Sequence, residues 1–242
     1  MTEVVLVTGA SRGVGAEIAT QLAAPHRHVI VNYREKATRA TAVVDAVLAA
    51  GGEASAVQAD VSDERAAATM LDDIGSRWNG LDVLVLNASG GLEPGADADY
   101  PMRLNRDAQV TLVRCALPLM RAGGRIIFVT SHLAHFHGRK PVPNDYLPIA
   151  VSKQAGEMAL RALLPAFEAA GVTFVVVSGD MIEGSTMVRL FERRDPGAVA
   201  ARRTASGGLP TAAEFAGAIV RAACEARTSG ATIYVGGPDY LD

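Results

Sequence analysis

Near the amino terminus, VVLVTGASRGVG sets the apolar run Val4–Val7 directly before Gly9, Gly13 and Gly15. Such a run reads as a buried strand, and glycines placed there open a helix. Gly9 permits a tight turn, Gly13 lets backbone approach a pyrophosphate closely, and Gly15 lets the helix pack hard against the strand. The helix N-terminus adds a field that favours anions. The spacing, G-x-x-x-G-x-G, differs from the commoner G-x-G-x-x-G, and glycines alone would also serve an ordinary strand-to-helix turn. Their position after the first strand favours a phosphate cradle.

The rest of the chain repeats this alternation. Strands are expected near Val4–Thr8, His28–Asn32, Ala54–Ala59, Val83–Leu86, Arg125–Thr130, Thr173–Val177 and Thr232–Val235. Helices are expected over about Val14–Ala24, Ala37–Ala50, Glu64–Trp78, Tyr100–Met120, Ala150–Ala170 and Ala212–Arg227. Near-continuous apolar strands between amphipathic segments predict an α/β fold: a doubly wound parallel sheet of about seven strands, helices on both faces and right-handed crossovers. Residues 1–242 make one Rossmann-type domain. Two irregular stretches, residues 132–148 and 180–208, follow strand carboxyl ends, where open α/β sheets bind ligands. The second is expected to form a substrate lid.

A formal net charge of −3 and a pI near 6.0 supply no field for phosphate backbones, so nucleic acid is not an expected partner. Cys115 and Cys224 stand far apart in apolar, helix-like segments and suggest no disulfide framework, which fits a reducing cytoplasm. The short apolar start lacks the pattern of a secretion signal, and no apolar run approaches the roughly 20 residues that cross a bilayer. Small molecules are the expected partners, without a membrane role.

Cofactor choice is read after the second strand, where a carboxylate would bind a ribose 2′-hydroxyl and a cation a 2′-phosphate. Here Asn32, Tyr33 and Arg34 stand, with Arg12 in the glycine loop. Two guanidiniums can grip phosphate with forked hydrogen bonds, which predicts NADP(H).

With these residues in place the chain resembles the short-chain dehydrogenase/reductase family along essentially its whole length. TGASRGVG looks like the family's cofactor loop, and NYR is similar to its NADP-preferring branch. ADVSD matches an adenine-contacting segment through Asp60 and Val61. LNASGG resembles the Asn-Asn-Ala-Gly motif through Asn87 and Ala88, although Leu86 and Ser89 depart from it. The resemblance implies cofactor contacts from Gly9, Ser11, Arg12, Val14, Gly15, Asn32, Tyr33, Arg34, Asp60, Val61, Asn87, Ala88, Lys153, Gly179 and Met181.

Carbonyl-reducing members use an Asn-Ser-Tyr-Lys tetrad, in which tyrosine protonates the forming alkoxide. The matching positions here are Asn105, Ser131 and Lys153, but Ile149 holds the tyrosine position. Tyr146 lies seven residues before Lys153, two helical turns away, and Pro148 favours extended backbone at Leu147. Tyr146 is therefore expected in the loop before the helix, from which it could swing in. His132, His135 and His137 offer other acids, although their spacing is weak as a metal set and no metal is expected. A substrate whose own phenol or enol hydroxyl neighbours its ketone would bring a donor itself, as angucyclinone-type aromatic polyketides do.

The expected function is thus NADPH-dependent reduction of such an aromatic ketone without the usual tyrosine. Ser131, His132, Tyr146, Ile149 and Phe191 are the candidate substrate contacts. Ser178 replaces the proline of the family's Pro-Gly motif, and Ser185 or Thr186 should pass the nicotinamide. The competing expectation is a non-catalytic NADP(H)-binding sensor or scaffold. The family resemblance also implies a homo-oligomer, a dimer or tetramer.

Overall fold

A computed structural model describes residues 2–92, 95–237 and 240. Seven strands form one sheet in the order β3-β2-β1-β4-β5-β6-β7. They are β1 Glu3–Val7, β2 Arg27–Tyr33, β3 Glu53–Gln58, β4 Leu81–Leu86, β5 Met120–Ser131, β6 Thr173–Gly179 and β7 Thr232–Val235. Every pairing is parallel. Side chains on a strand alternate between faces, so a fully apolar strand feeds two cores. Leu6, Ile30, Leu84, Ile126 and Phe174 enter one core with helical Leu71, Leu112 and Phe167. Val5, Val29, Val83, Ile127 and Val175 enter the other with Ile18, Val43 and Ile219.

The helices are α1 Gly13–Gln21, α2 Ala37–Ala49, α3 Glu64–Trp78, α4 Tyr100–Met102, α5 Ala108–Ala116, α6 His132–His135, α7 Leu147–Arg161, α8 Leu164–Ala169, α9 Thr186–Arg194, α10 Pro196–Ser206 and α11 Ala212–Cys224. Two expected long helices are broken. A π-helical turn, Arg103–Asp107, interrupts the first, and Pro118 ends it in a 3-10 turn, so β5 begins at Met120 rather than Arg125. Pro165 divides the second into α7 and α8, because proline lacks the N–H that a continuing helix would bond. Conversely, α7 starts at Leu147, earlier than the expected Ala150. Leu147 is α-helical (φ −53°, ψ −45°) despite the bias before Pro148, which occupies the first turn, where its missing N–H costs nothing.

The two stretches expected to be irregular are partly helical. Residues 132–135 form α6, and the stretch 180–208, where a lid was expected, carries α9 and α10. Ser185 caps α9 by accepting from Val188 N at 3.2 Å, and Asp195 caps α10 by accepting from Ala198 N at 3.0 Å. Leu133, Tyr146, Ile149, Val188, Phe191, Val199 and Leu209 form a third core that joins the lid to the start of α7.

Candidate active site

The glycine cradle sits at the carboxyl end of β1. Gly9 has φ +62°, and a Cβ there would lie 3.0 Å from Ala88 Cα. A Cβ on Gly15 would meet Asn87 Nδ2 at 2.5 Å and Gly9 O at 2.6 Å. The turn therefore has room only for hydrogen at those positions. Asn87 donates from Nδ2 to Thr8 O at 2.9 Å, and Asn32 Oδ1 accepts from Gly9 N at 3.1 Å. Thr8 Oγ1 accepts from both Asn87 N and Ala88 N at 3.0 Å. Asn32, Asn87 and Ala88 thus shape the loop through their bonds to it. Thr8 was not singled out from sequence, although a hydroxyl beside the first glycine is the available signal.

Arg12 is the exposed residue preceding α1, and Arg34 is exposed beyond β2. Arg34 donates to the Tyr100 hydroxyl at 2.6 Å and pairs with Glu35 at 2.9 Å. Tyr100, distant in sequence, was not foreseen. Asp60 accepts from Ser62 N at 2.9 Å, and Val61 is buried beside it.

At the other end of the site, Lys153 donates to Val129 O at 3.1 Å. Burial pushes its ammonium pKa down to about 8. Ile149, one turn earlier on α7, is 4% exposed and packs in the third core, and it is not among the residues that line the cavity. Tyr146 ends the 3-10 turn Asn144–Tyr146, and its hydroxyl lies 3.0 Å from Ser131 Oγ. It stands before the helix, as expected, and is swung in. Burial raises the Tyr146 pKa and the Ser131 bond opposes that shift, leaving a neutral phenol near pH 7.

Ser131 ends β5 and caps α6, accepting from Ala134 N at 3.3 Å. Asn105 is 1% exposed in the π turn, where Nδ2 donates to Gly90 O at 2.9 Å and to Ser152 Oγ at 3.0 Å. Its side chain braces α7 and is not a wall of the cavity. The histidines diverge. His132 Nδ1 lies 2.8 Å from Ser178 Oγ, His135 Nδ1 2.8 Å from Glu157 Oε2, and His137 Nδ1 3.1 Å from Gln154 Oε1. Glu157 is a carboxylate partner that sequence proximity did not reveal. Burial opposes charge there, but His135 and Arg161 hold its carboxyl below the usual range. Among the described residues, no three His, Cys, Asp or Glu side chains gather as a metal would require.

Between these ends lies a cavity of about 210 Å³, lined by Val14, Ser131, His132, Tyr146, Lys153 and Phe191 among others. Gly179, Met181 and Ser185 also line it, whereas Thr186 does not. At its edge Asp180 takes a buried ion pair from Arg202 of α10, at 2.5 Å, so the lid is tied to the end of β6.

A profile of the short chain dehydrogenases matches residues 3–195. The chain belongs to this family. Among curated relatives of this short-chain dehydrogenase, elsinochrome reductase 1 of Elsinoe fawcettii is 38% identical over 135 residues, covering 53% of this chain and 51% of that protein. The 1-cyclohexenylcarbonyl-CoA reductase of Streptomyces collinus is 31% identical over 191 residues, covering 76% and 66%. The matches thus span about half to two thirds of these relatives' lengths. Among solved structures, the angucycline C-6 ketoreductase LanV with bound NADP superposes with a TM-score of 0.82 at 28% identity, covering 99% of this chain and 96% of LanV.

Proposed function

We propose that this short-chain dehydrogenase is an NADPH-dependent ketoreductase acting on a ketone of an angucyclinone-type aromatic polyketide. The observation that carries the reading is the cavity wall where the Ser131–Tyr146 hydroxyl pair and Lys153 converge beneath an apolar lid. The reductase names among the relatives, and LanV with its NADP, support the same class.

The residues present fit the cofactor. The cradle that a Cβ would fill at Gly9 and Gly15 leaves backbone for a pyrophosphate, and Arg12 and Arg34 are the cations available to a 2′-phosphate. NADPH supplies the hydride when bound; Lys153, which lines the cavity, would hold its ribose. The protein's task is then to align the ketone and to meet charge as it develops on oxygen.

A hydroxyl has one proton and two acceptor sites. Ala134 N–H fills one acceptor of Ser131, and the bond with Tyr146 uses one of the pair's two protons. One hydroxyl proton remains to point at the ketone oxygen. A hydroxyl beside the ketone would supply a second, internal hydrogen bond, so the missing donor at Ile149 need not be replaced one for one.

The test uses a peri-hydroxyaryl ketone and its methyl ether, following NADPH absorbance. Ser131→Ala should lower kcat by about 10²-fold on the methyl ether and by less on the free hydroxyl substrate. NADPH bound tightly but oxidised with neither ketone would favour the sensor or scaffold and sink this reading.

A further inference from the structure

A second cavity, of about 370 Å³, opens on the outer side of the lid, lined by Pro143, Asn144, Asp145, Arg194, Ala198 and Val199 among others. Met181 and Phe191 are walls of both cavities. The inner space, about 210 Å³, falls below the roughly 300–1,000 Å³ usual for drug-sized ligands. Part of it also belongs to the nucleotide end, since Val14 and Asn87 of the cradle line it. That space is small for a fused four-ring ketone beside a nicotinamide.

We propose that the outer cavity is a second substrate compartment, holding the distal, oxygenated rings of a polycyclic ketone whose reacting ring lies inside, with Met181 and Phe191 flanking the passage. This rests on the ketoreductase reading and adds where the remainder of the substrate goes. The lining specifies the chemistry of that remainder. Pro143, Ala198 and Val199 offer apolar surface for ring faces. Arg194, the one cation among the described residues of the lining, pairs with Asp145 across from α9 to the turn before α7, and the Asp195 carboxylate caps α10. The described lining thus offers no free cation to an anionic group, whereas Asn144 can both donate and accept, which suits neutral hydroxyl or glycosyl oxygens. Phe191 also meets Tyr146 edge-on, with ring centroids 6.0 Å apart, so the wall shared by the two cavities adjoins the hydroxyl pair.

Two substitutions block the compartment at exposed positions away from the turn that carries Tyr146: Ala198→Trp on α10 and Arg194→Trp on α9. The probes are a two-ring peri-hydroxy ketone and a four-ring hydroxylated benz[a]anthraquinone ketone. Each blocking variant should lower kcat/KM for the four-ring ketone at least tenfold while leaving the two-ring ketone within twofold of the unmodified enzyme. Equal losses on both ketones, or no loss on the larger, would overturn the compartment. If the unmodified enzyme reduces neither ketone, the ketoreductase reading falls, and the compartment is then judged by binding. The Kd of the four-ring ketone for the NADP+-loaded protein should still weaken tenfold in both variants, and an unmoved Kd overturns it.

Discussion

Lys153 lies where the fold and the chemistry make opposing demands. The proposed cofactor seat calls for a cation here, yet burial lowers its pKa from 10.5 to about 8. Between those values the folded protein binds fewer protons than the unfolded chain, so stability rises with pH through that window, while below it the full cost of the buried ammonium is paid. The melting temperature of cofactor-free Lys153→Met should therefore exceed that of the unmodified protein most below pH 8, and the gap should shrink by pH 10.5. A gap constant across that window would mean that the ammonium is solvated. At Tyr146 the expectation concerns position as much as acidity. Tyr146→Phe removes the phenol from Ser131 but keeps the ring against Phe191, so kcat should fall several-fold with little change in folding stability. The residues of this corner were readable one by one. That Tyr146 reaches Ser131 was not, because its approach depends on a 3-10 turn rather than on helical register.

Among the elements, α7 is held by close approach. A Cβ on Gly156 would stand 2.1 Å from Asn105 O, so the π turn and α7 touch through hydrogen alone. Gly156→Ala must push the two apart and should cost about 1–3 kcal/mol by urea denaturation, in spite of alanine's better helix propensity. An unchanged or raised midpoint would show that the contact yields freely. The lid elements are held differently. Asp180, with a side chain 1% exposed, accepts from Arg202, from Met181 N at 2.7 Å and from Gly237 N at 3.2 Å. Arg202→Met leaves that carboxylate buried without its cation and should destabilise by about 3–5 kcal/mol, while the double change with Asp180→Asn should recover part of the loss. Composition could not announce either contact. Asp180 and Arg202 read as ordinary charges within a run of them, and Gly156 as one small residue in an Ala-rich helix, until the chain brings their partners from far away.

For the whole molecule, the parallel order of the strands was legible because β-branched runs buried on both faces leave few alternatives, and the glycine turn at β1 fixes which end of the sheet faces the nucleotide. The helix breaks at Asn105 and Pro165 were less legible, since local periodicity runs through them unaltered. Residues 180–208 were legible as a segment after β6 but not as α9 and α10, whose caps, Ser185 and Asp195, lie among many polar residues. Cofactor choice is the property in which these scales meet: a nucleotide seated at the carboxyl ends of the strands would stabilise the whole sheet, whereas in the proposed reading its discrimination rests on the exposed guanidiniums of Arg12 and Arg34. A ligand at 100 times its Kd adds about 2.7 kcal/mol to the folded state, and for a chain of this size 1 kcal/mol moves the melting temperature by about 2–4 °C. NADPH should therefore raise the midpoint by about 5–10 °C at such a concentration, and NADH at the same concentration by much less. Arg34→Ala should narrow the difference between the two cofactors while leaving the NADH shift in place, because Arg34 is exposed and outside the glycine cradle, Glu35 is exposed, and half-buried Tyr100 keeps its packing against the core without the Arg34 bond. If the variant instead loses both shifts equally, Arg34 is part of the scaffold that shapes the site, and the 2′-phosphate must be read by Arg12 or by backbone.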